Sequence, residues 1–339
     1  MRTRDRRLPT VGTAGREAGT AKASIGDRTS WRTIEAMYPD TEDRIKQLAR
    51  ELDNFEDIAK YLVPRPGECP KLRGIDIRGG TLALNGSVGG DHIIYVDFKQ
   101  RFDLQARIRQ AVDEGRPEIV EHLERCQHMA GIAVIDVSGH RVTDALLAAM
   151  LHQAFLLGSI YELDRFGRIT KRLFENLNTR FYQSSGAHKF VSMMYGEISE
   201  DFRFRFLSAA QPFPLVFSNE HDRFMEVSSH LRVSFPPLGM VPSLDVFDRS
   251  TTRSVLGFKD RYELNEWMLM GVGDILLLYT DGLAEHGTEL ESYVPVHLEQ
   301  KIREVKHQGA SEIFEAVKAD LLAFSRQSDD ISIVVIKRT

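Results

Sequence analysis

Cysteine is scarce in this sequence, and long apolar runs are missing. The chain has two cysteines in 339 residues, Cys69 and Cys126, which match neither a CxxC motif nor a zinc-site spacing and argue against a disulfide-stapled secreted protein. No apolar stretch approaches the roughly 20 residues that span a bilayer, and the start of the chain lacks the apolar segment of a signal peptide. We therefore expect a cytoplasmic protein with no membrane partner.

A basic charge balance is also missing. The formal net charge is −5 at pH 7, which excludes the protein-wide positive field typical of nucleic-acid-binding proteins. The chain has no GxxxxGK[ST] phosphate loop, which disfavours a nucleotide-processing hydrolase. The length suits one large domain with an appendage, or two ordinary domains. We expect no nucleic-acid partner for the main body of the protein.

The first segment has its own composition. Residues 1–32 contain eight Lys or Arg against three acidic residues and few large apolar side chains. This predicts that residues 1–40 form a disordered basic tail. Such a tail is either solvated or contacts nucleic acid or an acidic partner, and its Arg- and Thr-rich composition shares features with transit peptides.

A helical pattern follows the tail. Between Thr41 and Val63, apolar residues recur three or four positions apart, which predicts an amphipathic helix that ends before Pro64 and Pro66. We assign residues 41–66 to a linker or regulatory element. This helix either packs on its own domain or pairs with a second copy of the chain.

Residues 67–339 form one domain of alternating β-hairpins and helices. A helical hairpin is predicted at about residues 101–129, where Gly115 ends one helix and Pro117 opens the next. Long helices are predicted over residues 142–157 and 163–182, followed by hairpin strands. The polar stretch from Val241 to Leu269 is expected to be a flap outside the core. Hairpins without βαβ units indicate an α+β layered sandwich.

Four aspartates lie where apolar strand-like runs begin or end. Asp91 and Asp329 precede such runs, whereas Asp136 and Asp281 follow them. If the runs are neighbouring antiparallel strands, all four carboxylates meet at one edge. Hard carboxylate oxygens bind Mg²⁺ and Mn²⁺, and the cation cancels the repulsion between them. The pattern therefore predicts a metal-dependent enzyme.

The motifs around these aspartates occur in a recognisable order, which is Gly89-Gly90-Asp91, Asp136-Val137-Ser138-Gly139-His140, Pro237-Leu238-Gly239, Tyr279-Thr280-Asp281-Gly282 and Asp329-Asp330-Ile331-Ser332. Over residues 58–338 the chain resembles the SpoIIE/RsbU-type branch of the type 2C (PPM) metal-dependent serine/threonine protein phosphatases. The resemblance implies two mainly antiparallel β-sheets flanked by helices. It also implies a dependence on two divalent cations, Mn²⁺ or Mg²⁺.

The resemblance further implies roles for individual residues. Asp136 would bridge the two cations, with Asp91 and the carbonyl oxygen of Val137 completing one site and Asp281 and Asp329 forming the other. Asp136 and Asp281 would then be catalytic through the metals. His140 would be either a general acid or a structural hydrogen-bonding residue, and Asp330 and Gly282 would support the site. The substrate would be a phosphorylated regulator such as an anti-sigma factor antagonist, and residues 41–63 would form a homodimer contact.

The chain departs from the family pattern at a few positions. Ser208-Ala209-Ala210-Gln211 stands where relatives commonly have Asn-Ala-Gly-His, so Gln211 replaces a histidine. Arg141 replaces a common glycine, and would bind a substrate phosphate or, by preference, pair with Asp144. These departures leave open an alternative to the phosphatase: a catalytically weak or degenerate domain that acts as a partner-binding signalling module.

Overall fold

The computed structural model describes residues 41–60, 68–86, 88–139, 142–184, 189–243, 254, 256–268 and 271–339. The chain divides into two compact units, residues 1–51 and residues 52–339. The predicted basic tail, residues 1–40, lies outside the described residues, and its disorder stays a prediction.

Helix α1 is the first described element, and it spans Thr41–Lys60. This helix confirms the predicted amphipathic helix as far as Lys60. Residues 61–66 of the predicted linker lie outside the described part of the chain. In the second unit, Phe55 packs against Val88 and Ala145. The exposed apolar side chains of α1 are Ile45, Leu48, Leu52 and Ile58.

Two β-sheets form the centre of the second unit. The first sheet has the order β1-β11-β10-β6-β7, with β1 at Ile75–Leu82, β6 at Leu215–Ser218, β7 at Arg223–Phe224, β10 at Ile275–Tyr279 and β11 at Ile331–Arg338. The second has the order β2-β3-β4-β5-β8, with β2 at His92–Asp97, β3 at Met129–Val137, β4 at Val191–Ser199, β5 at Arg203–Ala209, β8 at Ser234–Phe235, and β9, Asn265–Met268, paired to β5. Pairing is antiparallel except between β5 and β8, which confirms the predicted sheets.

Helices cover both outer faces of the sheets. On the second sheet these are α2 (Phe98–Arg101), α3 (Leu104–Asp113), α4 (Pro117–Cys126), α5 (Val142–Phe166) and α6 (Lys171–Ser184). On the first they are α7 (Asp281–Ala284), α8 (Val296–Val305) and α9 (Ala310–Phe324), and a 3₁₀ turn spans Ser229–Leu231. The pair α3–α4 confirms the helical hairpin between β2 and β3.

Strand β3 shows how the layers are built. Ile132 and Val134 face the core between the sheets, whereas Ala133, Ile135 and Val137 face the helices. Because side chains alternate across a strand and both faces are covered, nearly every position of β3 must be apolar. The uninterrupted apolar runs in the sequence are thus strands buried on both faces.

The predicted boundary between the two long helices is wrong. Helix α5 continues to Phe166 instead of ending at residue 157, and α6 begins at Lys171 instead of residue 163. Gly167 ends α5, since it has φ +66° and its N–H donates to the Leu163 carbonyl. A left-handed glycine is a common helix stop.

Helix α5 also corrects the expectation about membrane-spanning length. Its segment Asp144–Phe166 is long and apolar enough to cross a bilayer, the one such helix in the described part of the chain. Leu151, Phe155 and Leu163 are nevertheless fully buried in the cluster beneath the second sheet. Of the apolar window of this helix, 39% is buried, and Leu146, Met150 and Leu157 are exposed.

The stretch predicted as a flap belongs partly to the core. Lys259 and Tyr262 are buried, and Glu175 on α6 accepts hydrogen bonds from Lys259 Nζ at 3.0 Å and from Tyr262 N at 2.7 Å. Lys259 Nζ also lies 3.3 Å from the centroid of the Tyr262 ring. The flap prediction is wrong for Lys259, Tyr262 and Asn265, which are buried, whereas most other residues of 256–268 are exposed. The buried lysine was missed because its partner Glu175 is distant in the sequence.

Candidate metal centre

The strand registers bring the four aspartates to one edge of the sandwich. His92 pairs with Ile135 in the β2–β3 ladder, which places Asp91 beside Asp136. Tyr279 pairs with Ile333 in the β10–β11 ladder, which places Asp281 and Asp329 at the corresponding end of the other sheet. The geometry thus brings together the carboxylates that the sequence singles out, while their roles as metal ligands stay predictions.

Asp91 is a buried carboxylate at the start of β2. Its Oδ2 accepts a hydrogen bond from Thr280 Oγ1 at 2.7 Å. Burial raises the pKa of Asp91 well above its usual range, and the negative charge of Asp136 raises it further. The Thr280 hydrogen bond acts in the opposite direction.

Asp136 is held from the neighbouring strand. Ser192 Oγ on β4 donates to Asp136 Oδ2 at 3.0 Å. Burial raises the pKa of Asp136 to about 7, with further contributions from the charges of Asp281, Asp329 and Asp330. Burial and the charge of Asp329 also raise the pKa of Asp281. Asp91, Asp136 and Asp281 therefore each lie near other negative charges in a poorly solvated place.

This donor set fits a hard divalent cation by its chemistry. Carboxylate oxygens are the ligands Mg²⁺ and Mn²⁺ prefer, and a cation among them would remove the repulsion that raises their pKa values. The described residues contain no group of three His, Cys, Asp or Glu already positioned to hold a metal ion. The Thr280 and Ser192 hydroxyls each donate to one oxygen, Oδ2, of Asp91 and Asp136.

Asp330 supports the turn that carries Asp91. Its carboxylate is buried and accepts hydrogen bonds from Leu84 N at 2.6 Å and from Gly90 N at 2.7 Å. A Cβ at Gly89 would lie 2.1 Å from Asp330 Oδ2, so only glycine fits there. This arrangement agrees with the supporting role expected for Asp330, while its neighbour Asp329 is exposed.

The remaining glycines of the motifs allow close backbone approach. A Cβ at Gly90 would lie 2.8 Å from the carbonyl oxygen of Val137, and a Cβ at Gly282 would lie 1.9 Å from the carbonyl oxygen of Asp330. A side chain at Gly90 would clash with the backbone at the end of β3 in the same sheet, and a side chain at Gly282 would clash with the backbone that precedes β11. Gly282 packs against the Asp330 backbone, while its supporting role in the site stays a prediction.

Lys189 is a charged neighbour of the site that the sequence interpretation missed. Its Nζ donates to Asp144 Oδ1 at 2.5 Å and to the Ser138 carbonyl at 2.6 Å. Asp144 is fully buried, and Lys189 lies 45 positions away from it, so no local spacing could reveal the pair. His140 and Arg141 lie outside the described residues, and the predicted Arg141–Asp144 pair stays a prediction.

Gln211 and Ser192 are polar residues near Asp136. Gln211, at the end of β5, is buried and donates from Nε2 to Ser192 Oγ at 3.1 Å. Ser192 was missed because its partner Asp136 is set by strand register. His92 contacts His152 on α5, at 2.6 Å between Nε2 and Nδ1. Burial lowers the pKa of His92 to about 3.

The family model for stage II sporulation protein E (SpoIIE) matches residues 127–339, which is more than half of the chain. The chain belongs to the SpoIIE family. The matched range contains Asp136, Asp281 and Asp329, whereas Asp91 precedes it. A search of curated proteins found no match.

Solved structures place this SpoIIE-family chain among PP2C folds. The SiaA-PP2C domain of Pseudomonas aeruginosa aligns with TM-score 0.57 and 17% identity, over 88% of this chain and 99% of that one. The RsbU and RsbW domains of Rv1364c from Mycobacterium tuberculosis align with TM-score 0.54 and 18% identity over 81% of this chain, and SpoIIE from Bacillus subtilis with TM-score 0.54 and 15% identity over 79%.

This chain spans 64% of the length of each of the last two structures. At these identities the alignments establish the fold. Together with the family match they show that the chain carries a SpoIIE-family domain with a PP2C-type fold, the α+β sandwich predicted from the sequence.

Proposed function

We propose that this protein is a divalent-metal-dependent phosphatase that hydrolyses phosphoserine or phosphothreonine on a regulatory protein. The observation that carries the proposal is the meeting of Asp91, Asp136, Asp281 and Asp329 at one edge of a PP2C-type sandwich. Burial and neighbouring negative charges raise the pKa values of Asp91, Asp136 and Asp281. Such clusters occur where an external cation completes the site.

Each residue has a stated task in this proposal. Asp136, Asp91, Asp281 and Asp329, with the carbonyl oxygen of Val137, would hold the two cations, with Asp136 contributing to both sites. When bound there, Mn²⁺ or Mg²⁺ would supply the positive charge that lowers the pKa of a water and neutralises the phosphate. His140 donates a proton to the departing alkoxide or orders the turn after Asp136.

The substrate and regulation are finer parts of the same proposal. A phosphorylated protein resembling an anti-sigma factor antagonist is the proposed substrate, since the chain belongs to the SpoIIE family and aligns with the RsbU and RsbW domains of Rv1364c. A homodimer through residues 41–63 is proposed, because Ile45, Leu48, Leu52 and Ile58 are exposed on α1. The cytoplasm is the proposed location.

A partner-binding module is the second candidate function. The absence of a ready-formed ligand group among the described residues favours it, as does Gln211 in place of a histidine. In that case the domain would hold a phosphoprotein without turning it over.

The deciding experiment is hydrolysis of an aryl phosphate and of a phosphoserine peptide, with and without millimolar Mn²⁺, by the wild type and by Asp136→Asn. The proposal expects Mn²⁺-dependent turnover that the variant loses. Mn²⁺ binding without turnover on either substrate would favour the partner-binding module instead.

A further inference from the structure

Ser192 connects the β3–β4 ladder to the central carboxylate of the candidate site. It pairs with Asp136 in the ladder register, and its Oγ lies 3.0 Å from Asp136 Oδ2 and 3.3 Å from the Asp136 carbonyl oxygen. A serine hydroxyl has one proton, so it donates fully to only one acceptor at a time. The direction of that proton therefore affects how firmly the Asp136 side chain is held.

Gln211 contacts the same hydroxyl of Ser192. Its Nε2 lies 3.1 Å from Ser192 Oγ and 3.3 Å from the Ser192 carbonyl oxygen. A backbone carbonyl only accepts hydrogen bonds, so the amide nitrogen of Gln211 must be the end that faces Ser192. Ser192 Oγ then accepts from Gln211, and its own proton is directed to Asp136.

The surroundings of Gln211 fix its position. The Ser208 hydroxyl donates to the backbone carbonyl oxygen of Gln211 at 2.9 Å. Ala210, which precedes Gln211, has φ +62°. Gln211 Oε1 is buried and has no hydrogen-bond partner among the described residues. A buried acceptor without a partner is destabilising. Among the described residues, the side chain of Gln211 therefore contributes hydrogen bonds only through its N–H group, which donates to Ser192.

We propose that Gln211 is a positioning residue that orients the Ser192 hydroxyl toward Asp136 and so holds this carboxylate for cation binding. The inference rests on the proposed function. It assigns a task to the position where the chain departs from its family pattern: an amide N–H delivers a hydrogen bond through Ser192. Residues that orient metal ligands in this way typically change metal affinity by about 10- to 100-fold when removed.

A double-mutant cycle tests this assignment. Gln211→Met keeps the length and volume of the side chain but removes the donor, and Ser192→Ala removes the hydroxyl. Mn²⁺ affinity by calorimetry is the first measurement, and kcat and KM for an aryl phosphate are the second. We expect Gln211→Met to weaken Mn²⁺ binding about tenfold in the wild type, and to have no further effect in the Ser192→Ala background.

Two more variants separate positioning from folding. Gln211→His supplies a ring N–H and should restore most of the affinity. Ser218→Ala removes another buried serine hydroxyl, on β6 of the other sheet, and should leave Mn²⁺ affinity unchanged. Thermal unfolding of each variant verifies that the fold is retained.

The outcomes distinguish the positioning role of Gln211 from the proposed phosphatase function. Wild-type Mn²⁺ affinity in Gln211→Met would overturn the positioning role of Gln211 while the phosphatase proposal stands. An equal loss of affinity in the wild-type and Ser192→Ala backgrounds would have the same meaning. A wild type that binds no Mn²⁺ would overturn both.

Discussion

The two ends of the β3–β4 ladder place carboxylates in opposite electrostatic settings. At one end Asp136 lies across from Ser192, near Asp281 and Asp329, and its pKa is raised to about 7. At the other end Glu200 accepts hydrogen bonds from Arg73 Nη2 and His128 Nδ1, each at 2.8 Å. The Arg73 hydrogen bond is the main reason that the pKa of Glu200 is lowered to about 2.

The comparison sets an acidic residue that stabilises the fold against a cluster that we propose binds a divalent cation. Glu200 finds its cations within the chain, so its charge favours the folded state. The carboxylate edge gathers like charges in a poorly solvated place, which opposes folding unless something compensates. Stability alone does not account for such a cluster, whereas binding of an external divalent cation does.

The largest expected effect comes from Asp281→Asn at the carboxylate edge. Turnover in the presence of Mn²⁺ should fall by more than about 100-fold, because a proposed metal ligand is lost. Without metal, the melting temperature should stay equal or rise, since one of several repelling charges is removed. Wild-type turnover in this variant would mean that the site is misassigned.

The next effect concerns the end of β5, which presents Gln211 to the carboxylate edge. Ala210 has φ +62° and is exposed, so Ala210→Gly should stabilise the protein by about 0.5–1 kcal/mol. The control Ala209→Gly lies in a buried, extended part of β5 and should destabilise it by about 1–2 kcal/mol. Chemical denaturation measures both, and changes of the same sign would refute the backbone argument.

A smaller effect is expected at the Glu200 end of the ladder. Glu200→Gln removes the charge that Arg73 and His128 contact, and should lower the melting temperature by about 1–3 °C, because ion pairs with exposed partners contribute little. Glu266→Gln is the control, since Glu266 pairs only with exposed Arg203 and Arg205 among the described residues. A larger loss in the control would reverse the assignment of Glu200 as the stabilising residue.

The smallest effect is a change in acid sensitivity. The pKa of Glu200 is lowered from the ordinary value of 4.5 to about 2, so its stabilising contribution is complete above pH 4.5 and is lost as the pH falls toward 2. The melting temperature of the wild type should therefore fall more steeply than that of Glu200→Gln across this interval. Parallel curves would show that Glu200 is not favoured as a carboxylate in the fold.

The sequence predicted the features of this protein that depend on local pattern. Apolar runs flanked by aspartates indicated buried strands with carboxylates at one edge, and the order of the motifs identified the SpoIIE-type domain. The helical hairpin at Gly115 and Pro117 followed from ordinary stop and start signals.

Features that depend on distant partners were missed. Lys189 meets Asp144, and Lys259 meets Glu175, across 45 and 84 positions. Neither charged pair leaves a signal in local periodicity. Ser192 acquires its contact with Asp136 only through the β3–β4 register, which hydrophobic alternation alone does not specify to the residue. The end of α5 was misplaced because Gly158 is tolerated within the helix while Gly167 stops it.

The most direct test of the metal centre is a crystal structure of the wild type with Mn²⁺, using anomalous scattering to locate the ions. The account predicts two manganese peaks at the carboxylate edge, coordinated by Asp91, Asp136, Asp281 and Asp329 with the carbonyl oxygen of Val137. Manganese absent from this edge at millimolar concentration, or bound only elsewhere on the protein, would contradict the account.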